Sequence, residues 1–222
     1  MSVNPAAESD LGLMGGMFDP VHNGHLNIAQ NCLQALGLDA MRFIPCGVPV
    51  HRENTLTDSR HRLEMLELAI TGQEKFSIDD RECRSKEPSY MQTSLESIRE
   101  ENPEVRLFFL MGLDAFNSLP SWHRWVEIFE LAHLVVATRP GVTPDFDGIL
   151  QQEYEKRIAS TVEEMKQYRH GRIYSAAFEE LDISSSMIRE RIARDDSLSG
   201  LVPRSVETYI NNEHLYKEVK AS

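Results

Sequence analysis

Short apolar runs alternate with segments of helical period along most of this chain, and that alternation constrains its fold more than any other feature. Leu11 to Met14 is an apolar run closed by Gly15-Gly16, which reads as a strand and a turn. From Gly24 the period becomes helical, with Leu26, Ala29, Leu33 and Leu36 on one face and Gly37 as the stop. Met41 to Ile44 and Phe76 to Ile78 read as the next two strands. Between them lies a helix capped by Thr57 or Asp58, with Leu63, Leu66 and Ile70 as its apolar face. A helix from about Tyr90 to Glu100 stops before Pro103. Val105 to Met111 and Leu134 to Ala137 read as buried strands, separated by a Trp-rich helical piece from Trp122 to Phe129. Gln151 to Gln167 reads as one mixed-charge surface helix and Ile173 to Ser175 as the last strand. Helices at about Ser185 to Arg194 and Pro203 to Asn211 close the chain.

Strands alternating with helices predict an α/β fold: Rossmann-like and doubly wound, with a mostly parallel sheet and helices on both faces. No repeat, low-complexity tract or linker interrupts the pattern. The expected organisation is a single domain over residues 1–222, with about 1–10 flexible and about 180–222 forming a C-terminal helical part. In such sheets ligands bind beyond the carboxyl ends of the strands, so the residues after each strand are where chemistry is expected.

The junction after the first strand reads Gly15-Gly16-Met17-Phe18-Asp19-Pro20-Val21-His22-Asn23-Gly24-His25. The glycines let backbone approach a ligand, and the helix that follows offers N–H groups and the positive end of its dipole. His22 and His25, three apart at that end, can face one anion, while Gly24 between them removes a crowding side chain. The physical reading is a phosphate site. Half a metal site and plain helix capping are the alternatives, and no third metal ligand stands out. Late in the chain, Ile183-Ser184-Ser185-Ser186-Met187-Ile188-Arg189 places three hydroxyls at a helix start and a guanidinium one turn in, a set suited to phosphate oxygens.

Composition narrows the classes. A net charge of −12 argues against nonspecific nucleic-acid binding, which needs basic patches, yet leaves room for small phosphorylated ligands. With 41% apolar and 26% charged residues, the chain is expected to be globular rather than disordered. No apolar run approaches the ~20 residues of a membrane span, so no membrane association is expected. Met1 to Asp10 has no basic residue, which speaks against a signal peptide. Cys32, Cys46 and Cys83 are odd in number and widely spaced, so neither a disulfide framework nor a zinc cluster is indicated and a reduced, cytoplasmic setting is expected.

The first segment resembles the G-G-x-F-D-P-x-H-x-G-H signature of the nucleotidyltransferase superfamily, and the second its I-S-[ST]-[ST]-x-[IV]-R partner. Between them Val48-Pro49-Val50-His51-Arg52, Pro88-Ser89-Tyr90, Gly112-Leu113-Asp114, Trp122 and Arg139-Pro140-Gly141 are similar to the pattern of bacterial nicotinate-nucleotide adenylyltransferases, as is the ending Tyr209-Ile210 and Leu215-Tyr216. The departures are Met17 where Thr or Ser is usual, Met91 where Thr is usual, and Cys46-Gly47 before Val-Pro where Asn is common.

The resemblance implies transfer of AMP from ATP to nicotinate mononucleotide, giving deamido-NAD and pyrophosphate, by direct attack without a covalent intermediate. It implies His22, His25 and Arg189 as catalytic. The ATP-binding set would be Gly15, Gly16, Phe18, His22, Gly24, His25, Gly112, Asp114, Arg139, Ile183, Ser184, Ser186 and Arg189. Asp114 would accept from ribose hydroxyls. Met17, His51, Arg52, Tyr90, Met91 and Trp122 would meet the nicotinate mononucleotide, with Trp122 stacking on the pyridine ring. Mg²⁺ would be held mainly by the ATP phosphates, with no metal ligand expected from the protein. The expected assembly is a monomer or small homo-oligomer.

Overall fold

A computed structural model describes residues 10–50, 57–139, 146, 148–179 and 181–217. Its strands are β1 (Asp10–Gly16), β2 (Ala40–Pro45), β3 (Phe76–Ile78), β4 (Arg106–Gly112), β5 (His133–Thr138) and β6 (Ile173–Ala177). They form one six-stranded parallel sheet in the order β3-β2-β1-β4-β5-β6. The order runs one way from β1 through β2 to β3 and the other way from β4 to β6. The reversal falls at β1 and β4, where doubly wound sheets place their ligands. The expected α/β fold is present, and the sheet is wholly rather than mostly parallel.

The helices are α1 (Asn23–Ala35), α2 (Ser59–Ile70), α3 (Arg81–Arg84), α4 (Met91–Glu101), α5 (Leu113–Asn117), α6 (Ile128–Leu131), α7 (Gly148–Arg157), α8 (Val162–Lys166), α9 (Ser185–Ala193) and α10 (Arg204–Asn212). Among the described residues no helix is long and apolar enough to cross a membrane.

The chain groups into two compact units. One takes its described residues from Met1–Gly15, Ala29–Arg42 and Tyr90–Glu179, the other from Gly16–Ile28, Phe43–Ser89 and Glu180–Ser222. The first carries most of the sheet. In register, Asp10 faces Arg106 and Met14 faces Leu110 across β1–β4, and Phe108 faces His133 across β4–β5. All six residues of β5 are buried, so both faces of that strand are covered. At the amino end of β1 the buried Asp10 carboxylate pairs with Arg106 at 2.6 Å and Lys166 at 2.8 Å. The second unit pairs α2 with α10, where His61 Nδ1 meets the Tyr209 hydroxyl at 2.8 Å and Ser205 Oγ donates to Leu68 O at 3.0 Å.

Three local expectations are corrected. Gln151 to Gln167 is not one helix. Ile158 bridges to Ile173 and Ala159 N–H donates to Ile173 O, so this stretch joins the edge of β6 and splits α7 from α8. Thr161 then caps α8 by accepting from Glu164 N–H, and Glu164 in turn accepts from Ser160 N–H; this Thr-x-x-Glu start signal is legible in the sequence. Trp122 to Phe129 is likewise interrupted. Arg124 takes a left-handed conformation (φ 49°), and only Trp125–Glu127, a 3₁₀ turn, and α6 follow it. In α2, capped by Asp58, the buried residues are Arg62, Met65, Leu66 and Ala69, while Leu63 and Ile70 are half-buried. The face is rotated because an arginine occupies a core position.

Candidate active site

From Gly16 onward the first phosphate motif lies in the second unit with the second motif, and the two touch. Phe18 is held in a left-handed conformation (φ 50°), with its buried ring edge-on to His25 at 5.1 Å and to Phe43 at 5.8 Å. This tucks the ring inward and carries the chain through Asp19-Pro20 (a cis peptide) to His22 at the start of α1. Ser185 Oγ donates to Pro20 O at 2.9 Å, and Arg189 Nη1 donates to Asp19 O at 2.7 Å. Two segments some 165 residues apart are thereby sewn together by two hydrogen bonds.

His22 and His25 stack with ring centroids 3.6 Å apart and planes 25° from parallel. Each ring's Nδ1 accepts a backbone N–H at 3.3 Å: His25 N–H reaches His22, and His22 N–H reaches His25. An Nδ1 that accepts cannot carry the proton, so both rings are assigned the tautomer with the proton on Nε2. Burial holds His22 down to about 4 and His25 well below its ordinary value, the latter also pushed by the charge of His22. At neutral pH the pair is two uncharged Nε2–H donors on stacked rings.

Gly24 makes this stacking possible. A Cβ there would stand 2.9 Å from His22 Nδ1 and 3.5 Å from Ile183 O. The sequence predicts that Gly24 clears space for the anion; what it clears is the imidazole that would hold the anion. The start of α1 offers fewer N–H groups than expected. Asn23 N–H donates to Leu201 O, and the N–H groups of His25 and Leu26 turn back to His22 O.

The second motif begins α9. Ser184 Oγ accepts from Met187 N–H at 3.2 Å as the N-cap, which leaves its own hydroxyl proton to donate. Ser186 Oγ accepts from Arg189 Nη2 at 3.2 Å, so Arg189 is oriented by two bonds before any ligand arrives. Ser184 and Ser186 are exposed and Arg189 is half-buried.

Four residues of this unit escape sequence reasoning. Ser185, between the two serines assigned to phosphate, is the tie to Pro20. Asp19 is buried and accepts from Tyr216 OH at 2.6 Å. Tyr216 itself is visible beforehand only as part of the family ending. Arg62, 1% exposed, donates to three carbonyls: Met17 O at 2.8 Å, Gly47 O at 3.3 Å and Thr57 O at 3.3 Å. Its signal was a charged residue in step with Met65, Leu66 and Ala69. Met17 therefore contributes a carbonyl to the scaffold, and Cys46 N–H closes the same loop onto Gly16 O.

The other assigned residues belong to the first unit. Gly15 packs against Met91, whose methyl would lie 2.3 Å from a Cβ at position 15. Tyr90, at the N-cap of α4, has its ring 4.4 Å from that of His123, the planes tilted by 37°. Trp122 is half-buried, 6.3 Å from Phe109. Gly112 ends β4, and Asp114 is exposed in the first turn of α5. A Cβ on Gly112 would meet no heavy atom within 4 Å. Gly112 faces Ala137 on β5, and Arg139 follows that strand as an exposed residue, so these three lie at the carboxyl end of the sheet. His51, Arg52, Pro140 and Gly141 lie outside the described residues. Among the described residues no three His, Cys, Asp or Glu side chains cluster as metal ligands would.

The chain matches the cytidylyltransferase-like family over residues 13–191. It is 39% identical over 210 residues to a probable nicotinate-nucleotide adenylyltransferase of a Marinomonas species (strain MWYL1), covering 94% of this chain and 95% of that one. It is 40% identical over 211 residues to the protein of that name from Dechloromonas aromatica, covering 93% and 97%. Among solved structures it superposes on the Plasmodium falciparum nicotinic acid mononucleotide adenylyltransferase complexed with NaAD. The TM-score is 0.71 at 18% identity, with 94% of this chain and 97% of that one covered, a likeness of fold. The two converging motifs and full-length similarity at this identity lead to one conclusion: the chain belongs to the cytidylyltransferase-like family and, within it, to the nicotinate-nucleotide adenylyltransferases.

Proposed function

We propose that this chain transfers the adenylyl group of ATP to nicotinate mononucleotide, giving deamido-NAD and pyrophosphate in NAD biosynthesis. The observation that carries the site assignment is the pair of bonds from Ser185 to Pro20 and from Arg189 to Asp19, which put hydroxyls, a guanidinium and two imidazole donors in one unit.

The chemistry asks little of a general base. The attacking group is a phosphate monoester with a second pKa near 6, already ionised at neutral pH. One of its oxygens forms a bond to the α-phosphorus while the bond from that phosphorus to the bridging oxygen breaks. Pyrophosphate leaves as a stable anion, so no strong general acid is needed either. The obstacle is charge, since one polyanion must approach another, and positioning with electrostatic stabilisation meets it. In this reading the Nε2–H groups of His22 and His25 hold the α-phosphate oxygens, where negative charge develops. Ser184, Ser186 and Arg189 hold the β- and γ-phosphates. Gly112, Asp114 and Arg139 serve the nucleoside, and Tyr90, Met91 and Trp122 the pyridine side. Mg²⁺ would travel on the triphosphate and offset part of its charge. No residue of this chain is assigned to hold it. The setting proposed is the cytoplasm, with the two nucleotides as small-molecule partners.

The test is pyrophosphate release with ATP and a panel of nicotinate mononucleotide, nicotinamide mononucleotide and pantetheine phosphate. Nicotinate mononucleotide should be the preferred acceptor, and preference for either other acceptor defeats the reading. A folded His25→Ala variant should lose turnover by ~10² or more, the worth of one transition-state donor. Unchanged kcat would remove His25 from the mechanism.

A further inference from the structure

An anion site has reason to avoid carboxylates, yet the first motif contains Asp19, buried and three residues from His22. Its carboxylate is held at Oδ1 by the Tyr216 hydroxyl at 2.6 Å, and its backbone carbonyl is held by Arg189 Nη1 at 2.7 Å. One residue is thus gripped from both ends of the second motif's neighbourhood.

The chain goes to some steric cost to bring Tyr216 there. After α10, His214 (φ 52°) and Tyr216 (φ 62°) both adopt left-handed conformations, where glycine is the usual occupant. Leu215 N–H donates to Ile210 O and His214 N–H to Asn211 O, the paired bonds of a Schellman turn. That turn reverses the chain and returns the half-buried phenol to Asp19. Burial, and then the Asp19 charge, push the Tyr216 hydroxyl up from its ordinary value, so it stays a proton donor throughout the neutral range.

We infer that Tyr216 is a positioning residue of the triphosphate site: by holding the Asp19 carboxylate in place, it fixes the turn that carries His22 and the carbonyl that anchors Arg189. The inference rests on the reading of this unit as the ATP phosphate site, and it concerns ATP binding rather than acceptor choice.

The test is calorimetric ATP binding to Tyr216→Phe, Asp19→Asn and the double variant, alongside steady-state kinetics and thermal melts of each. Tyr216→Phe keeps the ring and loses the hydroxyl. Its Kd and KM for ATP should rise roughly tenfold, the usual effect of losing one hydrogen bond to a charged group, while KM for nicotinate mononucleotide holds. In the Asp19→Asn background the same change should add less than about twofold, because the charge it served is gone. The inference is overturned if Tyr216→Phe binds ATP like the parent protein, if the two effects multiply independently, or if only the melting temperature moves. A parent protein that binds ATP but forms no product with nicotinate mononucleotide would defeat the proposed reaction and leave this cycle readable.

Discussion

At position 24 a methyl group would stand 2.9 Å from His22 Nδ1 and 3.0 Å from His22 Cε1. Alanine there suits a helix better than glycine does, so Gly24→Ala should fold and melt near the parent temperature. The His22 ring, however, must move off His25. Since a misplacement of about 1 Å at a positioned group can cost on the order of 10² in rate, kcat/KM for ATP should fall, by up to that factor, while circular dichroism is unchanged. Wild-type kinetics in this variant would show that the stacked pair is not the working geometry. The importance of Gly24 was legible in the sequence, since a glycine between two histidines at a helix start has few other uses. What it makes room for was not, because ring stacking depends on side-chain torsions that spacing does not fix. Arg62 shows the opposite limit. By hydropathy it belongs in water, and the three carbonyls that satisfy it come from residues 17, 47 and 57, which only the folded chain assembles.

At the scale of elements, α9 owes its start to Ser184, which is asked both to cap the helix and to donate to phosphate. Two substitutions separate the duties. Ser184→Ala removes the cap and should cost about 1 kcal/mol of stability together with some ATP affinity. Ser184→Asp restores a good cap and places a negative charge where phosphate is proposed. Its melting temperature should match the parent within a few degrees, while its KM for ATP rises by an order of magnitude or more. Equal KM in both would reduce Ser184 to a structural cap. The α2 helix starts after Asp58 as its cap signal predicts, and β3 lies at Phe76–Ile78 although its three-residue signal is slight. The split between α7 and α8 follows instead from Ile158 and Ala159 pairing with Ile173, a contact that outweighs the local helical pattern.

For the whole molecule, His22, His25 and His133 all have pKa values held below the ordinary 6.5 by burial, His22 and His133 at about 4. His133 adds a specific reason: Arg172 N–H donates to its Nδ1, so a proton there would face another proton. The unfolded chain takes up these protons first as pH falls. Stability should therefore be full above pH 6.5 and decline from there toward about 4, by roughly 1.4 kcal/mol per unit for each such group. Urea melts across that range measure it, and His133→Gln should flatten the slope by about one proton. A melt independent of pH between 6.5 and 4 would contradict the buried, neutral assignment. The sequence alone determined the alternation of strands and helices, the phosphate-binding character of two short motifs and the family, because period, glycine placement and donor type are local properties. Tertiary structure alone decided that Ser185 rather than its neighbours ties the motifs, that Arg62 is buried and that Tyr216 reaches Asp19. The farthest partner in each case lies 45 (Arg62–Met17), 165 (Ser185–Pro20) or 197 (Tyr216–Asp19) residues away, and only the path of the folded backbone brings them within hydrogen-bonding distance.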